Sequence, residues 1–111
     1  MGKDTKKDQL LGMLDLMILR VLNSEPRHGY GIARRIENIS DDVLSVQQGS
    51  LYPALHRLEK RAFIQSEWQM GASNKPVKIY SLTPAGKRQL DEEANHWELV
   101  SAAVNRVLKN A

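Results

Sequence analysis

A chain of 111 residues has room for one small domain with a limited core, so a long element left over once that core is assigned points to self-association. Its 16 Lys and Arg against 13 Asp and Glu give a formal net charge of +3, which permits a polyanionic partner without demanding one. The absence of cysteine excludes disulfides, thiolate zinc sites and cysteine nucleophiles, and fits a reducing, cytoplasmic setting.

Residues 1–9 read as a flexible tail. From Leu10 the apolar side chains fall at positions 10, 11, 14, 17, 18, 21 and 22, the spacing of one buried helical stripe, and the helix should stop near Asn23, ahead of Pro26. Lys3, Lys6 and Lys7 ahead of LLGMLDLMILRVL imitate a signal peptide, but Asp15 and Arg20 break the run and no small-residue cleavage site follows. The run is also too short to span a bilayer. A second helix is predicted from about Gly29 to Asn38, with Ile32, Ala33, Ile36 and Ile39 inward and Arg34, Arg35 and Glu37 outward. His28 is expected to cap or pack at the turn before it.

The connection ISDDVLSVQQ is longer than a minimal helix-turn-helix turn. The stretch GSLYPALHRLEKRAFI then reads as a helix running into a strand. Pro53 removes a hydrogen bond to the carbonyl of Gly49 and is tolerated only near the helix start, which places that start at about Gln48. A capping box over Ser45–Gln48 would start the helix earlier and force a kink. Beyond it, Ile64, Ser66 and Trp68 alternate with polar neighbours, and KIYSL at 78–82 is a second β-prone run. GASNKP between them makes the pair a hairpin. Thr83-Pro84 is a helix start, with Thr83 as N-cap and proline where its missing N–H costs nothing. The terminal helix continues to about Asn110. Three helices closed by a hairpin form the winged helix-turn-helix plan over residues 10–83, mainly α with a small β element, followed by a long C-terminal helix over 84–111.

Turning the third helix about its axis gathers Leu51, Ala54, Leu55 and Leu58 on one side and leaves Pro53, His56, Arg57 and Lys60 on the other, with Ser50 and Tyr52 on the flanks. In a single amphipathic helix such a basic side is ordinarily just solvated. In a helix-turn-helix, however, this element faces the DNA major groove. Arg57 then offers a fork to guanine, Gln47 or Gln48 to adenine, and His56 and Ser50 a bond to base or phosphate. Lys60, further along, meets phosphate. Lys75 at the hairpin tip and Lys78 on its second strand are placed for phosphate or the adjacent minor groove, against the alternative of an ordinary solvated turn.

In the terminal helix Leu90, Ala94, Trp97, Ser101, Val104 and Leu108 are spaced four, three, four, three, four, a heptad-like seam. Val100 adjoins it. The apolar face is too broad for a solvated helix, so dimerisation is expected, the alternative being that the helix folds back onto the first one.

GSLYPALHRLEKRAFI followed by KIYSLTPAGKRQL resembles the PadR family of bacterial transcriptional repressors, whose members carry similar G-[ST]-[LI]-Y-P-x-L-x-R-L-E and Y-x-L-T-x-x-G stretches. LDLMILRVLNSEPRHGYGIARRI is similar to that family's first two helices, and the likeness runs from about Leu10 to Leu108. The resemblance implies a homodimer that binds a double-stranded DNA operator, represses, and in some members is released by a small molecule. On the matching positions it implies DNA contact by Gln47 to Tyr52 with Pro53 and by the basic wing. In some multidrug-sensing relatives an aromatic on the dimerisation helix lines a pocket for flat ligands. Trp97 is therefore read either as an interface anchor or as the contact for a small aromatic effector. Gln47-Gln48 stands where many members have Ser-Pro, a departure at the cap of the third helix. The wing carries Lys75 and Lys78 where arginines are common, which disfavours bidentate contacts in the wing.

A winged-helix module that binds protein rather than DNA is the competing function. An enzyme is disfavoured, because His28, His56 and His96 are scattered and no H-E-x-x-H, phosphate-loop or G-x-S-x-G pattern occurs. No metal, cofactor or membrane partner is expected.

Overall fold

The computed structural model describes residues 12–111; the expected tail and the first two leucines of the opening stripe lie outside the described residues. Helix α1 (Met13–Ser24) is followed by strand β1 (Arg27–His28), helix α2 (Gly29–Ile39), helix α3 (Gln48–Lys60), strands β2 (Ile64–Met70) and β3 (Pro76–Leu82), and helix α4 (Pro84–Asn110). Every helix predicted from periodicity is present, and two of the helix starts and the end of α3 are closed by identifiable capping bonds.

The Nδ1 of His28 accepts from the N–H of Gly31 at 3.0 Å and so caps α2. Thr83 Oγ1 accepts from Gly86 N–H at 3.0 Å and donates to Ala62 O at 2.7 Å, so one hydroxyl caps α4 and ties it to the end of α3. At the C-terminus of α3 the N–H of Phe63 reaches Leu58 O and that of Ala62 reaches Glu59 O, both at 3.0 Å, the paired bonds of a Schellman close. That close needs a left-handed residue, and Ala62 supplies it with φ of 63°. Glycine would adopt that conformation without a Cβ penalty. Ala62→Gly is therefore expected to raise stability by about 1 kcal/mol, read as a shift in the chemical denaturation midpoint.

The core is one cluster. Ile18, Leu19 and Leu22 of α1, Ile32 and Ile36 of α2, and Leu51, Ala54, Leu55 and Leu58 of α3 meet there, closed by Ile64, Tyr80 and Leu90. Fully burying an aliphatic side chain of this kind contributes roughly 1.5–3 kcal/mol before entropy is subtracted. The core holds the inner side of α3 and leaves its outer side free. Burial, with Glu59 and Tyr52 nearby, pushes the Tyr80 phenol above its ordinary value of 10.0, so it enters this cluster neutral.

Four local expectations are corrected. The sheet has three strands, in the order β1-β3-β2, rather than two, because Arg27 and His28 pair antiparallel with Tyr80 and Ile79. Ile39 is 62% exposed instead of inward, since α2 ends there and the chain turns away through left-handed Asp41 and Asp42. Glu37 is not a solvated residue: its carboxylate accepts from the Val46 N–H at 3.0 Å and pairs with Arg34 at 3.3 Å, pinning the connection just before α3. Asp15, read only as a break in an apolar run, is buried in the first turn of α1.

Candidate nucleic-acid interface

Helix α3 begins at Gln48, with Gln47 as its N-cap and no side chain capping the free N–H groups of its first turn. The start expected from the position of Pro53 is thus the one observed, and the earlier capping-box start is not. Pro53 stands in the second turn, facing outward, with no N–H for the Gly49 carbonyl. A Cβ at Gly49 would meet nothing within 4 Å, so this end of the helix is open to a close approach from outside.

Around the helix the side chains divide into a core side, two flanks and an outer stripe. Gly49, Pro53, His56 and Lys60 are spaced four, three, four and form the stripe; all are exposed. Among the described residues the His56 and Lys60 side chains make no hydrogen bond or ion pair. Ser50 and Gln48 are exposed beside them, and Gln47 donates from Nε2 to Ser45 Oγ at 3.2 Å.

One flank carries Arg57, whose Nη2 lies 3.0 Å from Asp15 Oδ1 of α1. Its side chain is 58% exposed and that of Asp15 only 10%. The sequence gives Arg57 as a free fork for guanine; in the structure one guanidinium nitrogen is already engaged within the chain. On the other flank Tyr52 lies against α2, where a Cβ at Gly29 would come within 2.9 Å of its phenolic oxygen. The tyrosine of GSLYP and the glycine of HGYGI are thus packing partners, and Tyr52 remains partly exposed.

Glu59, one turn on, accepts from Ser66 Oγ at 2.6 Å and lies 3.8 Å from Lys78 Nζ. Lys78 sits opposite Trp68 in the hairpin, and its ammonium stands over the rings of Trp68 and Tyr80 at 6.0 and 5.6 Å. It therefore braces the wing rather than pointing away from it. Lys75, by contrast, is exposed in the tight wing turn, where its carbonyl accepts from Gly71 N–H at 2.7 Å and left-handed Asn74 reverses the chain.

Two residues absent from the sequence-based set border the start of α3: Tyr30 and Arg34 of α2 line a cleft of about 270 Å³ with Gln47, Gln48 and Tyr52. The outward position of Arg34 on α2 was legible from periodicity, but not its apposition, with Tyr30, to the next helix.

In α4 the predicted seam divides. Leu90 is 1% exposed and belongs to the core of its own chain, so it has no surface left to give a partner. Ala94 is half-buried beside it, where the first turns of α4 pack on α1. Trp97, Val100, Val104 and Leu108 are exposed, with Ser101 half-buried between them. Trp97 walls a groove of about 670 Å³ between α1 and α4, together with Met13, Leu16, Met17 and Leu90. No helix among the described residues is long and apolar enough to cross a membrane.

The arrangement is shared with known proteins. A transcriptional regulator from Clostridium thermocellum is 30% identical and superposes with a TM-score of 0.76 over 83% of this chain and 89% of its own. A PadR family transcription regulator from Clostridium difficile is 28% identical, with a TM-score of 0.74 over 87% of this chain and 99% of its own. PadR of Bacillus subtilis, solved in complex with operator DNA, is 26% identical with a TM-score of 0.65; the match spans 72% of this chain and 45% of that longer protein. The family model described as transcriptional regulator PadR-like matches residues 18–92, which take in α2, the exposed stripe of α3, the wing and the start of α4. With fold, helix order and family model in agreement, the chain belongs to the PadR-like family of transcriptional regulators.

Proposed function

We propose that the protein is a homodimeric, sequence-specific DNA-binding repressor that occupies a palindromic operator. The observation that carries this reading is the outer stripe of α3. Gly49, Pro53, His56 and Lys60 have no partner among the described residues, whereas the core side of the same helix is buried and Arg57 and Glu59 on its flanks are tied within the chain. In the winged helix-turn-helix plan this surface enters the major groove. His56 and Ser50 meet base edges or phosphate, Gln47 and Gln48 adenine, and Tyr52 and Pro53 shape the approach. Lys60 and Lys75 meet phosphate, and Arg57 and Lys78 border the surface while held by Asp15 and Glu59. The operator-bound Bacillus subtilis relative supports a DNA partner for this fold.

Residues 10–83 serve as the DNA-binding unit and 84–111 as the dimerisation helix. Trp97, Val100, Ser101, Val104 and Leu108 contribute the surface a second copy would cover, and symmetry places two recognition helices about 34 Å apart, one helical turn of duplex. The groove beside Trp97 suits a small aromatic effector whose binding releases the operator. The repressor acts in the cytoplasm.

The test is selection of bound duplexes from a random pool, followed by affinity measurements across salt. The expected result is a palindromic consensus, with log affinity falling linearly with log salt at a slope on the order of −5 or steeper, as for a dimer neutralising about six phosphates. No consensus and a flat salt response would favour a protein-binding module.

A further inference from the structure

Helix α3 is tied on both flanks by charges of opposite sign, each to a different element. Arg57 on one flank reaches Asp15 of α1 across 42 residues of sequence, at 3.0 Å. Glu59 on the other reaches the wing, accepting from Ser66 Oγ at 2.6 Å and facing Lys78 Nζ at 3.8 Å. The stripe of Gly49, Pro53, His56 and Lys60 runs between the two ties.

Asp15 has little reason to be there for stability alone. A carboxylate with 10% of its side chain exposed costs desolvation, and partly buried ion pairs rarely exceed what an apolar substitute would contribute. What the pair supplies is direction. Contacts of Leu51, Ala54, Leu55 and Leu58 with the core fix how deeply α3 sits, but apolar burial is non-directional and tolerates a small rotation about the helix axis. Charge-assisted hydrogen bonds do not. A side-chain tip lies about 5–6 Å from the axis, so a roll of about 20° moves it by about 2 Å. That is enough to take a donor out of hydrogen-bond range of a base edge. Rolling α3 in either direction stretches one of the two ties.

From this we propose that Asp15 and Glu59 are positioning residues that set the roll of α3, and thereby which base edges His56 and its neighbours can reach. The proposal rests on the reading of α3 as the DNA-facing helix. It also gives Arg57 a different part from the fork for guanine expected from sequence: Arg57 acts on specificity through the orientation of its helix.

The experiment measures affinity for the selected operator and for a scrambled duplex, with the wild-type protein, Asp15→Asn, Glu59→Gln, and the reversed pair Asp15→Arg with Arg57→Asp. Ile18→Val, a core change in α1, serves as a control for destabilisation, and Tm is recorded for each. The ratio of the two affinities is expected to fall at least tenfold in Asp15→Asn and in Glu59→Gln, with scrambled-duplex binding within about threefold of wild type. The reversed pair recovers most of the ratio, and the control leaves it unchanged. If both neutral variants keep the wild-type ratio within twofold, the positioning proposal is overturned and the DNA reading stands. A ratio lost in Asp15→Asn and equally in the control also overturns it, since stability alone then explains the loss. Should the reversed pair fold with a wild-type Tm but show no recovery, Arg57 contacts the duplex directly and its tie is not the cause. A reversed pair that does not fold leaves the decision to the neutral variants. A wild-type protein that does not distinguish the two duplexes instead removes the DNA reading itself.

Discussion

Val104→Glu is expected to leave the winged domain folded, yield a monomer in sedimentation at micromolar concentration, and weaken binding to a two-half-site operator by about 10²–10⁴-fold. Val104 is 49% exposed in the single chain, beyond the turns of α4 that pack on α1, so the substitution touches nothing the domain needs. In a twofold interface the new carboxylate would face its own copy or nearby apolar surface of Val100 and Leu108, and a charge buried without a partner is expensive. Losing the second recognition helix then removes the gain in effective concentration that joins two half-site contacts into one event. A variant that sediments as a dimer of unchanged affinity would show that α4 is not the dimer seam.

The second large effect belongs to Gly86. A Cβ there would overlap the carbonyl oxygen of Phe63 and lie 2.9 Å from its carbonyl carbon. That oxygen also accepts from the Thr83 N–H at 3.1 Å, which stacks the first turn of α4 on the start of β2. Backbone cannot swing aside as a flexible side chain can. Gly86→Ala is therefore expected to cost about 3–5 kcal/mol, against a total of roughly 5–15 kcal/mol for a domain of this kind. The Tm should fall by about 15–30 °C. A fall of only a few degrees would mean that α4 can lift off β2 without consequence.

The helices were legible because their apolar spacing and their punctuation agree: Thr83-Pro84 opens α4, His28 caps α2, and Pro53 confines the start of α3 to Gln48. Local signals of this kind are written into neighbouring residues. What was not legible depends on distant partners. β1 is two residues long, too short to show any period, and exists because β3 offers an edge. Asp15 shares a helical side with buried Ile18, Leu19 and Leu22, and a charge on that side requires a partner; nothing in the sequence says that Arg57 is the one. The pairing of Tyr52 with Gly29 and of Lys78 with Glu59 is hidden for the same reason. Leu90 continues the heptad spacing of α4 yet is consumed by its own core, because the helix serves the domain in its first turns and projects from it afterwards. Membership of a family of transcriptional regulators agrees with the expectation from sequence that the chain is not an enzyme.

Backbone amide chemical-shift mapping of the ¹⁵N-labelled protein against its selected duplex reads out whether the outer stripe of α3 is the surface that meets DNA. The predicted result is a set of perturbed amides from Gln47 to Lys60, interrupted at Pro53, which has no N–H, and strongest at Gly49, Ser50, Tyr52 and His56, with a second set at the wing turn around Asn74 and Lys75. Saturable binding with shifts confined to α4, or with the amides of α3 unmoved, would contradict it.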